Sequence, residues 1–124
     1  MSPTPPSAAT VGWSETDASG RFHFTAPWRW VENAEHALYR SASPAIDIGR
    51  FPRRSTEATY HRALRAGDTY RVELAADTIG RSSIRFTWRI LSGSDVCVEG
   101  AHTVVHVGES GEPAPVPAEI RTAL

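Results

Sequence analysis

Apolar residues recur along this chain with two different periods. From about Ala26 to about Ser41 they recur every three or four positions, which is typical of a helix with one buried face. From Ser55 onward, apolar and polar residues alternate, which predicts strands with one buried face. A short alternating stretch, Val11 to Ser14, predicts one strand ahead of the helix. The predicted order is therefore one strand, one long helix and four further strands.

Turn-forming residues set the boundaries of these elements. Thr25 is placed to cap the helix, Pro27 is tolerated in its first turn, and Ser43-Pro44 ends it. The later strands are predicted at 55–64, 70–77, 83–90 and 96–107, with a loop at 44–54 and turns at 66–68, 79–81 and 92–95. Short turns predict that each strand pairs antiparallel with the next. Gly100, inside the last strand, indicates a bulge or a helix pressed close.

One helix against a curved five-stranded antiparallel sheet is an α+β architecture. We expect residues 1–9, rich in Pro, Ser, Thr and Ala, to form a flexible tail, and residues 10–124 to form a single domain. A monomer of this build leaves a sheet edge or face exposed. The chain is therefore expected to form a homodimer or homotetramer.

Composition excludes several classes of partner. The net charge of −1 gives no reason to expect nucleic acid or a membrane surface as a partner. No segment is apolar enough to span a membrane, and the start of the chain does not resemble a signal peptide, so we expect a cytoplasmic protein. Cys97 is the only cysteine and is expected to fill space in a strand. All 13 basic residues are arginine.

The chemically most informative segment is the polar turn before the helix. Asp17 and Gly20 lie in this turn, a few residues ahead of the predicted helix start. The first N–H groups of a helix have no partner within the helix and favour negative charge. A carboxylate beside such N–H groups is a recurring arrangement in hydrolytic sites, because the N–H groups stabilise an oxyanion.

Two further pairs of polar residues are expected to have structural roles. Glu32 and His36 are spaced to form a solvated pair on the helix surface. His102 and His106 share a strand face about 13 Å apart, which is too far for joint metal ligation. We therefore expect no metal and no cofactor.

Four local motifs point to a known family. They are Asp17-x-x-Gly20-x-Phe22-His23-Phe24, Arg29-Trp30-Val31-Glu32-x-Ala34, Ala63-Leu64-Arg65-Ala66-Gly67-Asp68, and the tail Pro115-Val116-Pro117-Ala118-Glu119-Ile120-Arg121. In this order and spacing, the chain from about residue 10 onward resembles hotdog-fold thioesterases of the 4-hydroxybenzoyl-CoA thioesterase type. The resemblance implies a hotdog fold and hydrolysis of an acyl thioester at an interface between two copies.

The resemblance also implies catalytic roles. Asp17 matches the family's catalytic carboxylate, as nucleophile or as base for water, and the N–H of Phe24 matches the donor that polarises the thioester carbonyl. Gly20 matches the residue that allows the tight turn. His23 replaces an aromatic residue found in many members and brings an ionisable ring to the candidate site. Ala26-Pro27 replaces a more polar pair.

Substrate-binding candidates surround this segment. They are Thr25 and Trp28 at the helix start, Tyr60 and His61 on a strand that borders the partner's pocket in the family, and Arg53 and Arg54, which could hold the phosphates of coenzyme A or of an acyl carrier protein. The expected partner is thus an acyl thioester on either carrier, in polyketide or other specialised metabolism.

Three alternatives stay open at this point. A hotdog enzyme could carry out dehydration or conjugate addition on the same thioesters, an idea supported by His23. The chain could be a non-enzymatic acyl-binding accessory protein, which the loss of the polar pair at Ala26-Pro27 favours. A cone-shaped α+β barrel of the cyclase or ligand-binding kind usually has more helix before the sheet.

Overall fold

A computed structural model describes residues 8–124 and contains two helices and five strands in this range. The elements are β1 (Ala9–Thr10), a 3-10 turn (Trp13–Glu15), α1 (Ala26–Ala42), a second 3-10 turn (Ile48–Arg50), β2 (Arg53–Tyr60), β3 (Thr69–Ile79), β4 (Ser83–Ser92), β5 (Asp95–Val105) and α2 (Ala118–Ala123). The predicted order of one strand, one long helix and four strands is confirmed, although the first strand lies earlier than predicted and the short helix α2 was not predicted.

The strands form one antiparallel sheet in the order β1-β3-β4-β5-β2. The expectation that β2 pairs with β3 is wrong, because β2 lies at the far edge beside β5. The connecting residues form no hairpin. The N–H groups of His61 and Arg62 donate to the carbonyl of Cys97, and the carbonyl of Leu64 accepts from the N–H of Phe22. The connection thus crosses the end of the sheet and leaves β2 as an edge strand.

The core lies between the sheet and α1, and the α+β prediction of one long helix on a five-stranded antiparallel sheet is confirmed. The helix turns one face inward, with Ala26, Pro27, Trp30, Val31, Glu35 and Tyr39 buried. Alternate residues of β4, including Phe86 and Trp88, are buried beneath it. Cys97 is also fully buried, so its thiol lies in the core.

The helix boundaries follow the sequence signals closely. Pro27 lies in the first turn, and Ser43 adopts an extended conformation just before Pro44. Thr25 takes the N-cap position, but its side chain makes no capping hydrogen bond to the helix. Its hydroxyl instead bonds Nδ1 of His23, at 2.8 Å.

Some other boundaries differ from the sequence prediction. The predicted strand at Val11 to Ser14 is wrong: the N–H of Glu15 donates to the carbonyl of Gly12 at 3.0 Å and closes a 3-10 turn, and the carboxylate of Glu15 caps this turn by accepting from the N–H of Gly12 at 2.9 Å. The strand before this turn is shorter and earlier, at Ala9–Thr10. Residues 1–7 of the predicted tail lie outside the described residues, whereas Ala9 belongs to β1. The strands predicted at 55–64 and 96–107 are Arg53–Tyr60 and Asp95–Val105.

Gly100 marks a close approach of two neighbours. A Cβ atom at this position would lie 2.2 Å from the carbonyl oxygen of Glu57 and 2.5 Å from Cζ2 of Trp88. The strand register is continuous across Gly100 in both its pairings, so neither a bulge nor a helix accounts for this glycine. The indole of Trp88 and the backbone of β2 occupy the space that a side chain would need.

We therefore expect Gly100→Ala to destabilise the protein by about 1–3 kcal/mol, because β2 or Trp88 must move to admit the methyl group. Urea unfolding followed by tryptophan fluorescence measures the change. Gly12→Ala is the control, since a Cβ there meets its nearest neighbour at an ordinary 3.5 Å. Equal stability of the two variants would contradict the steric argument.

Candidate active site

The turn before α1 folds back on itself through backbone hydrogen bonds. The N–H of Asp17 donates to the carbonyl of Arg21 at 2.7 Å, and the N–H of Gly20 donates to the carbonyl of Asp17 at 3.0 Å. Gly20 has a φ of +82°, a conformation that residues with a Cβ rarely adopt. Glycine at this position therefore allows the loop to close.

Asp17 lies at the exposed tip of this loop. Its Oδ1 accepts hydrogen bonds from the hydroxyl of Ser19 and from the N–H of Ser19, the latter at 2.8 Å. The Ser19 hydroxyl, followed by the Ser19 N–H, lowers the pKa of Asp17 below its usual range. Asp17 is therefore an ionised carboxylate at neutral pH, with Oδ2 left free of hydrogen bonds within residues 8–124.

The backbone between the loop and the helix leaves one donor free. The N–H of His23 donates to the carbonyl of Glu15 at 2.7 Å, and the N–H of Ala26 donates to the carbonyl of His23 at 2.9 Å. The N–H of Thr25 donates to Nδ1 of His23 at 3.2 Å. The N–H of Phe24 finds no acceptor in the described part of the chain.

The bond from Thr25 fixes the tautomer of His23. A backbone N–H only donates, so Nδ1 of His23 accepts, and in the neutral ring the proton lies on Nε2. His23 therefore presents Nε2–H as a donor, one residue before the free N–H of Phe24. The ring of Phe24 packs on His23, with ring centroids 4.6 Å apart, and meets Trp28 edge to face, but more than half of Phe24 remains exposed.

A groove of about 750 Å³ lies beside this segment. It runs between the first 3-10 turn, the start of α1 and the start of β2. Four of the residues singled out from the sequence line it, namely His23, Thr25, Trp28 and Arg53. Its other lining residues include Glu15, Arg29, Glu32 and Thr56.

The remaining candidates lie outside this groove. Asp17, Gly20 and Phe24 lie in the adjoining loop, and none of the three lines the groove. Tyr60, at the end of β2, donates its hydroxyl to the carbonyl of Phe24 at 2.5 Å. His61 contacts Glu99, with Nε2 and Oε2 3.1 Å apart. Arg54 is exposed on β2 and makes no ion pair within residues 8–124.

Arg53 reaches from the groove toward a buried polar cluster. Its Nη2 lies 3.0 Å from Oε1 of Glu35, and its Nη1 lies 3.4 Å from Oε2 of Glu32. Glu32 was expected to pair with His36, but it contacts Arg53 instead. Two carboxylates thus match the charge of Arg53, which leaves this guanidinium poorly suited to hold a phosphate.

Glu35 is the centre of the cluster and is fully buried. Besides Arg53, it accepts hydrogen bonds from the hydroxyl of Tyr39 at 2.6 Å and from Nε2 of His102 at 2.7 Å. Burial by itself raises the pKa of Glu35, but the bonds from His102 and Tyr39 and the charge of Arg53 outweigh burial and lower it. Burial raises the pKa of Tyr39, so its hydroxyl remains a donor.

Sequence reasoning missed this cluster. Glu35 and Tyr39 are four residues apart on the buried helix face, and His102 has the same inward orientation as the buried Val98 and Val104. Polar residues at inward positions were the available signal, because buried polar groups need partners.

Within the described residues no group of three or more His, Cys, Asp or Glu side chains is arranged to hold a metal ion. None of the helices described is long and apolar enough to cross a membrane.

Residues 11–124 match the model of the thioesterase-like superfamily. The chain belongs to the thioesterase-like superfamily. It is an acyl-thioester hydrolase with the hotdog fold, as the sequence motifs predicted. No curated protein has a significant sequence match to it.

Several solved structures resemble this thioesterase. A predicted thioesterase from Bacillus stearothermophilus shares 25% identity at a TM-score of 0.86, covering 96% of this chain and 92% of its own. A Thermus thermophilus thioesterase, solved with coenzyme A and zinc, shares 24% identity at a TM-score of 0.86, with 95% and 89% covered. The dynemicin thioesterase, whose crystal structures reveal effects upon polyene binding, shares 20% identity at a TM-score of 0.84. The match covers 96% of this chain and 93% of the dynemicin thioesterase.

The Glu35 cluster is expected to make the stability of the fold depend on pH. The folded-state pKa of Glu35 is lowered, so its contribution to stability is present above the unfolded-state pKa of about 4.3 and is lost as the pH falls through the folded-state value. Glu35→Gln should therefore cost about 3 kcal/mol at pH 7 and less in acid. Urea unfolding at pH 7 and below pH 4 measures both differences.

Glu32→Gln is the matched control, because Glu32 contacts the same guanidinium from a half-exposed position. Its cost should be about 1 kcal/mol or less. A Glu35→Gln variant as stable as this control at pH 7, or one whose deficit does not shrink in acid, would show that the cluster does not stabilise the fold.

Proposed function

We propose that this thioesterase hydrolyses an acyl thioester carried on coenzyme A or on an acyl carrier protein, with the loop before α1 as its catalytic centre. The observation that carries this proposal is the unpaired N–H of Phe24 just before the helix start, which follows His23 directly and shares its loop with the ionised carboxylate of Asp17. Two donors and one anion are the groups that cleavage of an activated carbonyl requires.

In the proposed reaction the thioester carbonyl accepts a hydrogen bond from the N–H of Phe24, supported by the Nε2–H of His23. Negative charge that develops on the carbonyl oxygen is stabilised by these donors and by the positive end of the α1 dipole. Asp17 acts on the carbonyl carbon directly or deprotonates a water that attacks it. The carbon–sulfur bond breaks, and water supplies the hydroxyl of the acid and the proton of the released thiol.

The tautomer of His23 bears on the dehydration alternative. Its Nδ1 accepts from the N–H of Thr25, so in the neutral ring the proton lies on Nε2. A ring in this state is a donor and is not poised to remove a proton from a carbon acid. This favours hydrolysis over dehydration or conjugate addition.

A second copy of the chain completes the proposed site. The side chain of Asp17 lies outside the groove of one subunit, and β2 has one edge unpaired within residues 8–124. Unpaired edges are natural sites for strand addition. Pairing of two β2 strands as a homodimer or within a homotetramer brings the second subunit beside the loop before α1.

We assign recognition of the carrier's phosphates to Arg54. Arg53 is matched by Glu32 and Glu35, whereas Arg54 is exposed and free of ion pairs within the described range. Coenzyme A and the arm of an acyl carrier protein share a phosphorylated pantetheine. A similarly folded protein from Thermus thermophilus was solved with coenzyme A, which makes acyl-CoA thioesters the first substrates to test.

Thiol release from a panel of acyl-CoA and acyl-carrier thioesters tests the proposed reaction. Asp17→Asn should lower kcat by about 100-fold or more, because the neutral amide neither attacks nor accepts a proton. Asp47→Asn is the matched control, since Asp47 Oδ1 accepts from the N–H of Gly49 at 3.0 Å in a similar turn far along the chain. Unchanged kcat in Asp17→Asn, or thioester consumed without thiol release, would refute the proposal.

A second measurement separates phosphate recognition from acyl recognition. Arg54→Gln should raise KM for an acyl-CoA by about tenfold, because one charge-assisted hydrogen bond to phosphate is lost. KM for the matching N-acetylcysteamine thioester, which has no phosphate, should stay unchanged. Arg40→Gln, at the end of α1, is the control. Equal effects on both substrates would remove Arg54 from phosphate binding.

A further inference from the structure

The two peptide groups that flank Phe24 are held at three of their four polar atoms. In the peptide before Phe24, the carbonyl of His23 accepts from the N–H of Ala26 at 2.9 Å. In the peptide after it, the N–H of Thr25 donates to Nδ1 of His23, and the carbonyl of Phe24 accepts from the hydroxyl of Tyr60 at 2.5 Å. The fourth atom, the N–H of Phe24, is the donor proposed for catalysis.

Tyr60 differs from the other two partners in its origin. Ala26 and Thr25 lie within three residues of His23, so their bonds form inside the loop and move with it. Tyr60 is 36 residues from Phe24 and is the last residue of β2. Of the three bonds, the one from Tyr60 is the bond that ties these peptide groups to the sheet.

The surroundings of Tyr60 keep its hydroxyl in the donor form. Burial raises the pKa of Tyr60, so the phenol stays protonated at neutral pH. The ring packs against Phe22 with centroids 6.2 Å apart, which fixes its direction from a second segment. Its hydroxyl donates to the backbone carbonyl of Phe24 and lies near the side chain of Trp28, whereas Tyr60 itself does not line the groove.

We infer that Tyr60 is a positioning residue, whose hydroxyl holds the peptide after Phe24 and, through the Thr25 N–H of that peptide, the ring of His23 next to the N–H of Phe24. Release of the Phe24 carbonyl lets this peptide rotate. Its rotation also moves the N–H of Thr25, which sets the tautomer and orientation of the His23 ring. This role, which rests on the proposed function, replaces the expectation that Tyr60 contacts substrate.

Tyr60→Phe tests the inference, because it removes one oxygen atom and keeps the ring. With the best thioester of the panel, kcat should fall by about tenfold, while KM changes by about twofold or less. Loss of a donor's alignment affects the transition state more than substrate binding, whereas loss of a substrate contact raises KM. A rise in KM with kcat unchanged would overturn the inference.

Tyr70→Phe is the matched control. Tyr70 likewise packs its ring on another aromatic ring, that of Trp30 at a centroid distance of 4.0 Å, but its hydroxyl makes no hydrogen bond within residues 8–124. Its kcat and KM should equal those of the unaltered protein. A kcat loss as large in Tyr70→Phe as in Tyr60→Phe would attribute the effect to general loosening and overturn the inference.

Amide exchange keeps the test independent of the reaction. In the protein without substrate, Tyr60→Phe should speed exchange of the Thr25 N–H by about tenfold or more, and Tyr70→Phe should leave it unchanged. If no thioester is cleaved by the unaltered protein, the proposed function fails, while this measurement still decides whether Tyr60 holds the loop. Unchanged exchange in Tyr60→Phe would overturn the inference even in an active enzyme.

Discussion

The carboxylate of Glu35, buried between α1 and the sheet, is the interaction on which the placement of the other elements depends. It accepts hydrogen bonds from Tyr39 on its own helix, from His102 on β5 and from Arg53 on β2. A buried charge that loses one of these partners costs several kcal/mol, whereas apolar contacts tolerate small shifts. The helix is therefore held at one rotation and one height over the sheet, and its first turn is brought beside the start of β2.

The edge strand β2 is tied to the helical layer at both of its ends. Arg53, its first residue, contacts Glu32 and Glu35, and Tyr60, its last residue, bonds the carbonyl of Phe24. Between these ends it is paired only with β5 in the described chain. The strand whose free edge is proposed to meet a second copy is thus the same strand that contacts both the groove and the loop before α1. Assembly and catalysis would share one structural element.

Local signals in the sequence predicted the parts of this structure that local physics determines. The helix at Ala26–Ala42 followed from its apolar spacing and from the two prolines that bound it, and the hairpins of β3, β4 and β5 followed from alternation and short turns. The place of β2 did not follow, because its pairing with β5 joins residues as distant along the chain as Arg53 and Val104 and has no local signature. Glu35 was also missed, since an acidic residue on a helix is ordinarily solvated and its partners come from two distant strands.

This thioesterase has no lysine, and its single cysteine is buried, which limits how its side chains can react with an activated acyl group. Activated acyl groups react with amines and thiols, and lysine and cysteine are the side chains that normally supply them. Every basic residue here is arginine, whose guanidinium stays protonated, and the sulfur of Cys97 is enclosed in the core. A thioester near the protein surface therefore encounters no side-chain amine and no accessible thiol. The protein is thus protected from acylation of a lysine or cysteine side chain.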